Sequence, residues 1–283
     1  MSPSINSVLD VANRSDPGMV RAHNEDAIFV DGAGLAILAD GMGGYNAGEV
    51  ASGIAVSVIK EGLMPELMSG RDLSKVDVHT GLTHAALLLQ QQIAAANKGI
   101  YEAAQSRPEC AGMGTTVVCA VFHGNRVSIA HIGDSRCYRL RGDRFEQLTR
   151  DHSLLQEQID TGQITPDQAR YSLNKNLVTR ALGIEAIVPA DISEFRVEAD
   201  DIYLLCSDGL TDMVDTDVVH GIVDEQRDAL EAAAVQLIDL ANQNGGRDNI
   251  SVILAHVPAA FLPDGKWAQN YLAKKRKADE TRP

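Results

Sequence analysis

The succession of apolar runs along this 283-residue chain predicts an α/β protein of the α+β type: two packed antiparallel β-sheets flanked by helices, an αββα sandwich with a small helical flap. Three observations lead there. Short β-branched runs come first, two helical periodicities follow, and then strands, helices and a closing strand succeed one another without the alternation of a doubly wound sheet. Turn dipeptides recur at short intervals between the apolar runs, as hairpin pairing requires. With 45% hydrophobic residues the chain can bury a large core, and no linker divides it.

Val8 to Asn13, Ala27 to Val30 and Leu35 to Ala39 read as strands punctuated by Asp16-Pro17-Gly18 and Asp31-Gly32. Val50, Ala51, Ile54, Val58 and Ile59 recur at helical spacing and predict a helix from Ala47 to Met68. Leu82, Ala86, Leu89, Ile93, Asn97 and Ile100 predict a second, stopped before Pro108, and the two should be neighbours. The period then shortens. Thr115 to Phe122, Arg126 to Ile132, Arg136 to Leu140 and Phe145 to Leu148, with Gly124-Asn125 and Gly142-Asp143 between them, predict an antiparallel meander. Asp151 to Asn176 is more polar and reads as short helices. In it Thr165-Pro166-Asp167-Gln168 fits a capped helix start, and residues 151–178 are expected to form a mobile flap over one end of the sheet. Ile202 to Cys206 is strand-like, Asp217 to Asp224 and Gln226 to Gln243 are expected as helices, and Ile250 to Val257 closes the chain's regular structure.

The charge of −14 argues against a nucleic-acid partner, which needs basic surface. The sign is uneven: residues 261–283 carry six basic and three acidic side chains and read as a solvated basic tail after a domain at 1–260. Cys110, Cys119, Cys137 and Cys206 are scattered without a Cys-x-x-Cys pair, so buried thiols are expected in place of a disulfide framework. No apolar stretch approaches the roughly 18 residues of a membrane span, and residues 1–10 lack a signal-peptide pattern. A soluble, cytoplasmic protein is the expectation.

Four acidic turns carry the chemistry: Glu25-Asp26, Asp40-Gly41-Met42-Gly43-Gly44, Ser207-Asp208-Gly209-Leu210 and Gly246-Arg247-Asp248-Asn249. Three adjoin apolar strand-like runs, so their carboxylates can converge at strand ends. A set of hard oxygen ligands without Cys or His partners suits Mg²⁺ or Mn²⁺, whereas zinc favours sulfur and imidazole. For any one Asp-Gly the ordinary reading is turn geometry, and the case rests on the set.

Taken with Arg21-Ala22-His23-Asn24, Gly114-Thr115-Thr116, Gly133-Asp134-Ser135-Arg136 and Arg180-Ala181-Leu182-Gly183, these turns resemble the metal-dependent serine/threonine phosphatases of type 2C, in their bacterial branch. The resemblance runs in order from about Val11 to Val257. It implies two ions, Mn²⁺ or Mg²⁺, with Asp40 bridging them, the Gly41 carbonyl on the second, and Asp208 and Asp248 completing the shell of the first. Asp134 with Asp208 would hold a third. Glu25, Asp26 and Asn249 would act through bound waters, and Arg21 would clamp the phosphate. Two ions can hold phosphoryl oxygens and lower the pKa of a bridging water, which supplies the hydroxide that slow phosphate monoester hydrolysis needs. The implied substrates are phosphorylated proteins, and the implied opponent is a bacterial serine/threonine kinase.

Two departures matter. Many relatives place a histidine within or just after the Asp-Gly-x-Gly-Gly segment, but here the positions are Met42 and Tyr45, which leaves His152 or a metal-bound water as general acid. The flap reads Ala169-Arg170-Tyr171-Ser172-Leu173 where related sequences often carry His-Pro. A catalytically weak pseudophosphatase that binds a phosphoprotein or kinase is the alternative. Other phosphatase chemistries lack their residues: no cysteine is followed six positions later by arginine, and there is no Walker-type loop. Asp215-Thr216-Asp217-Val218-Val219 matches an aspartyl-phosphate motif but is expected to open a helix.

Overall fold

The computed structural model describes residues 9–44, 47–165, 168 and 177–258. Tyr45, the 169–173 stretch and the basic tail at 261–283 lie outside these residues. So do Pro166 and Asp167, although Thr165 and Gln168 exchange the two reciprocal bonds of a capping box, at 2.8 and 3.3 Å.

Strands β1 (Asp10–Asp16), β2 (Asp26–Asp31) and β3 (Leu35–Met42) precede helices α1 (Ala47–Met68) and α2 (His84–Ser106). Then come β4 (Gly114–Thr115), β5 (Val117–His123), β6 (Arg126–Ile132), β7 (Arg136–Arg141), β8 (Arg144–Gln147), α3 (Leu154–Asp160), β9 (Asp191–Arg196) and β10 (Ile202–Cys206). A short α4 (Asp208–Thr211), then α5 (Thr216–Glu225), α6 (Leu230–Gln243) and β11 (Ile250–His256) complete the order. One sheet runs β1-β11-β10-β7-β8 and the other β2-β3-β5-β6-β9, with β4 on the end of β3. Every strand pairing is antiparallel.

Both sheets are apolar on both faces, which is why β3 and β5 read as unbroken apolar runs. Leu35, Ile37 and Ala39 face α1 and α2, while Ala36 and Leu38 enter the layer between the sheets with Phe122, Tyr203, Leu205 and Ile253. The outer face of the other sheet packs on α5 and α6 through Leu204, Val252, Val223 and Leu237. Layer order is therefore helix, sheet, sheet, helix, as predicted. The two long helices are in contact, with Ile54 3.6 Å from where a Cβ on Gly99 would stand. The four cysteines are free and buried, and among the described residues no helix is long and apolar enough to cross a membrane.

The meander is corrected. β5–β6 and β7–β8 are hairpins, but β6 and β7 lie in different sheets, joined by Gly133-Asp134-Ser135 with Gly133 at φ 102°. That crossing turn, unlike the two hairpin turns, delivers Asp134 to the shared end of both sheets. The strand β9 was not anticipated, because Asp191–Arg196 is a half-exposed polar sheet edge. The last helix starts at Leu230, later than Gln226, and the aspartyl-phosphate look-alike does open a helix, with Asp215 as its N-cap.

Candidate active site

Pairing of β2 with β3 sets Asp26 opposite Asp40. The chain breaks between β4 and β5 at Thr116, and that break grips the Asp40 backbone. The Asp40 N–H donates to Thr116 Oγ1 at 3.2 Å, and its carbonyl accepts from Thr116 N at 2.9 Å and Thr115 Oγ1 at 2.8 Å. Asp208 opens α4 directly after β10, and Asp248 sits in the turn entering β11, so adjacency of those two strands brings their acidic ends together. Ser207 then links the sheets: its hydroxyl donates to Asp26 Oδ2 at 3.1 Å and accepts from the Ser251 N–H at 2.9 Å.

Asn249 fastens the loop between β1 and β2. Its amide donates to the carbonyls of Pro17 and His23 at 3.0 and 2.9 Å and accepts from the Glu25 N–H at 2.8 Å. The role this geometry gives it is to position the loop backbone. Close approach explains three glycines. A Cβ on Gly41 would stand 2.2 Å from the Gly48 carbonyl, one on Gly48 would meet the Glu25 carboxyl at 2.8 Å, and one on Gly209 would meet the Asn249 carbonyl at 2.0 Å. Arg21 reaches in from the exposed loop, its Nη2 2.8 Å from Asp248 Oδ2.

The electrostatics are those of a cluster of negative charge. Burial, then the charges of Asp26, Asp208, Asp134 and Asp248, hold Asp40 well above the ordinary carboxylate range. Burial and Asp134, Asp212, Asp248 and Asp26 do the same to Asp208. Burial pushes Asp26 to about 6 against the hydrogen bonds of Ser251, Ser207 and Asp40, and Asp134 also rises to about 6, chiefly through burial and Asp151. Arg136 offsets this only in part, because its guanidinium is bonded to Asp151 at 2.6 to 3.0 Å. Glu25 is raised by burial, partly offset by Arg21. Buried oxygens Asp26 Oδ1 and Asp208 Oδ1 have no hydrogen-bond partner. Unpartnered carboxylate oxygens facing other carboxylates suit a hard divalent cation, and the all-oxygen donor set fits Mg²⁺ or Mn²⁺.

All nine predicted site residues therefore meet at one end of the sandwich: Arg21, Glu25, Asp26, Asp40, Gly41, Asp134, Asp208, Asp248 and Asn249. Sequence reasoning missed Asp212, whose charge acts on both Asp208 and Asp134 and whose signal was its i+4 spacing from Asp208. It also assigned no role to the supporting hydroxyls of Ser207, Thr115 and Thr116, although their motifs were noted, and did not single out Ser251.

His152 is tied to the turn that carries Asp134. Its N–H and Nδ1 bond the carbonyl and N–H of Gly133 at 2.9 and 3.2 Å, and its Nε2 faces Asp191 Oδ2 at 3.3 Å and Arg180 Nη1 at 3.4 Å. Both ring nitrogens are engaged, and burial lowers its pKa, so it is not placed to protonate a leaving group. With His131 and Asp191 it forms a second cluster whose ligand atoms lie within 4.8 Å. A metal on His152 Nε2 would require Nδ1–H to point at the Gly133 N–H, and we read this cluster as a hydrogen-bonded tie.

The family model for protein phosphatase 2C matches residues 34–250. The chain is 38% identical over 250 residues to serine/threonine protein phosphatase PstP of Mycobacterium tuberculosis, spanning 88% of this chain but only 45% of that protein. It is 40% identical over 245 residues to serine/threonine phosphatase stp of Listeria innocua, spanning 85% and 93%. The crystal structure of the M. tuberculosis PstP/Ppp phosphatase superposes with a TM-score of 0.79 at 37% identity, covering 89% of this chain and 99% of that one. The PstP catalytic domain in complex with 2 manganese ions gives 0.76 at 37% identity, covering 88% and 98%. This chain belongs to the protein phosphatase 2C family of metal-dependent serine/threonine phosphatases.

Proposed function

We propose that this chain hydrolyses phosphoserine and phosphothreonine on proteins in a reaction that depends on Mn²⁺ or Mg²⁺. The observation that carries the reading is the convergence of Asp26, Asp40, Asp208 and Asp248, mutually repelling and with orphaned oxygens, beside the guanidinium of Arg21. Asp40 would be shared by two ions, with the Gly41 carbonyl, Asp208 and Asp248 as further ligands, and Asp134 with Asp208 would hold a third. When bound, such ions neutralise phosphoryl oxygens and lower the pKa of a water between them.

The chain's own residues do the rest. Arg21, now on Asp248, has a planar fork that fits two phosphoryl oxygens and would exchange one partner for the other as substrate enters. Glu25 and Asp26 orient water within the cluster, and Asn249 fixes the loop that carries Arg21 and Glu25. With His152 engaged elsewhere and Met42 unable to donate, the leaving serine or threonine oxygen takes its proton from water in the cleft. Residues 1–260 would form the catalytic unit and 261–283 a basic appendage. A serine/threonine kinase of the same cell would be the opponent, and the cytoplasm the place of action.

The test is phosphate release from a phosphothreonine peptide with Mn²⁺, with Mg²⁺ and with chelator, in wild type and Asp208→Ala. Metal-dependent turnover lost in the variant supports the proposal. Folded, metal-binding protein without turnover on several peptides would shift the reading to a phosphoprotein-binding pseudophosphatase.

A further inference from the structure

The loop that presents Arg21 is held unusually firmly for one that exposes apolar side chains. Gly18 sits at φ 78°, where a Cβ would stand 2.2 Å from the Asp248 carbonyl, and its N–H donates to Asp16 Oδ1 at 2.9 Å. The Met19 N–H donates to the Gly246 carbonyl at 2.7 Å, and Asn249 binds the loop on both sides of Arg21 through Pro17 and His23. Yet Met19 and Val20 are 69% and 67% exposed. A restrained backbone that keeps two neighbouring large apolar side chains in water beside an ionic cleft has no packing explanation.

Next to them Gly246 is buried beneath Met19, and Gly245 is exposed. Met19 Cγ lies 2.8 Å from where a Cβ on Gly246 would stand, and the corresponding point on Gly245 has the Arg247 side chain at 3.8 Å and Met213 Sδ at 4.0 Å. Gly245, exposed between the two methionines, offers backbone without a side chain, to which a peptide can approach closely. Gly246 is two residues from Asp248, and Val20 is next to Arg21. Successive residues of a peptide are about 3.8 Å apart, so the neighbour of a phosphoresidue bound at Arg21 comes within reach of this patch.

We propose that Met19, Val20 and Met213, around the exposed Gly245, form an apolar subsite for an aliphatic or aromatic side chain next to the phosphorylated serine or threonine. The inference rests on the phosphatase reading above. Methionine's adaptable thioether selects a class of side chain in place of one shape. The subsite makes Met19 and Val20 specificity determinants for the protein substrate.

The experiment compares two phosphothreonine-mimicking peptides with a non-hydrolysable phosphonate, one with leucine and one with serine on both sides of the phosphoresidue. Binding to the Mn²⁺-loaded full chain is read by fluorescence anisotropy, and p-nitrophenyl phosphate hydrolysis is followed in parallel. The leucine peptide is expected to bind about five- to tenfold more tightly, the worth of partly burying one aliphatic side chain, and Met19→Ser/Val20→Ser should erase most of that preference. Both substitutions are at exposed positions, so the fold tolerates them. Equal affinity for the two peptides, or a preference that survives the double variant, overturns the subsite. Preference without any p-nitrophenyl phosphate turnover supports the subsite and counts against the phosphatase reading alone.

Discussion

Asp208 combines a buried carboxylate oxygen without a partner and four neighbouring carboxylates that act on it. In the absence of a cation that arrangement opposes folding, so Asp208→Asn should raise the melting temperature in chelator, by about 2–4 °C for each kcal/mol relieved in a chain of this size. With Mn²⁺ the same variant should lose turnover on the order of a thousandfold, because the several kcal/mol that a metal ion contributes to the transition state are forfeited. Thermal scans and phosphate-release assays on one preparation check both signs. A pH prediction follows from Asp26 and Asp134, which hold protons up to about 6 in the metal-free fold against an ordinary 3.8. Between those values the folded chain binds more protons than the unfolded one, so these groups add stability as pH falls, and a cation must displace the protons to bind. The rise in melting temperature on adding Mn²⁺ should be larger at about pH 7.5 than at about pH 5.5. An equal or larger rise at the lower pH would contradict this assignment.

At the scale of elements, the acidic residues work because strand ends and turns deliver them. Asn249→Ala unties three backbone partners on the loop between β1 and β2. It should cost about 2–4 kcal/mol, since several polar groups are left unpaired, and weaken phosphate-ester binding through misplacement of Arg21. Urea unfolding and KM against kcat distinguish the two effects. Gly41→Ala should be worse, because its Cβ would lie 2.2 Å from the Gly48 carbonyl and neither backbone has room to retreat. Loss of soluble folded protein is the expected outcome, read by expression and circular dichroism. Most elements were legible because their local patterns are strong: β3 and β5 as apolar runs, α1 and α2 as periodic ones. The switch of sheets between β6 and β7 was not. Gly133-Asp134 and Gly124-Asn125 look alike as turn dipeptides, and only tertiary packing makes one a hairpin and the other a crossing.

For the whole molecule, two sheets packed face to face place four acidic turns, spread over more than two hundred residues of sequence, at one end of a shared apolar layer. The clustered carboxylates were legible because Asp-Gly and Asp-Asn turns beside apolar runs form an ordered set. The roles of the hydroxyls around them were not, since Ser207, Ser251 and Thr116 act through tertiary contacts that a motif does not reveal. His152 was offered, beside a metal-bound water, as a general acid from its residue type alone, whereas its surroundings make it a tie between Gly133 and Asp191. The central claim is that the acidic end is a divalent-metal site organised around Asp40. An equilibrium Mn²⁺ titration that counts bound ions through the paramagnetic signal of free Mn²⁺ tests it most directly. Wild type should bind at least two ions per chain and Asp40→Asn should lose tight binding of both, whereas unchanged stoichiometry and affinity in the variant, or no binding by folded wild type, would contradict it.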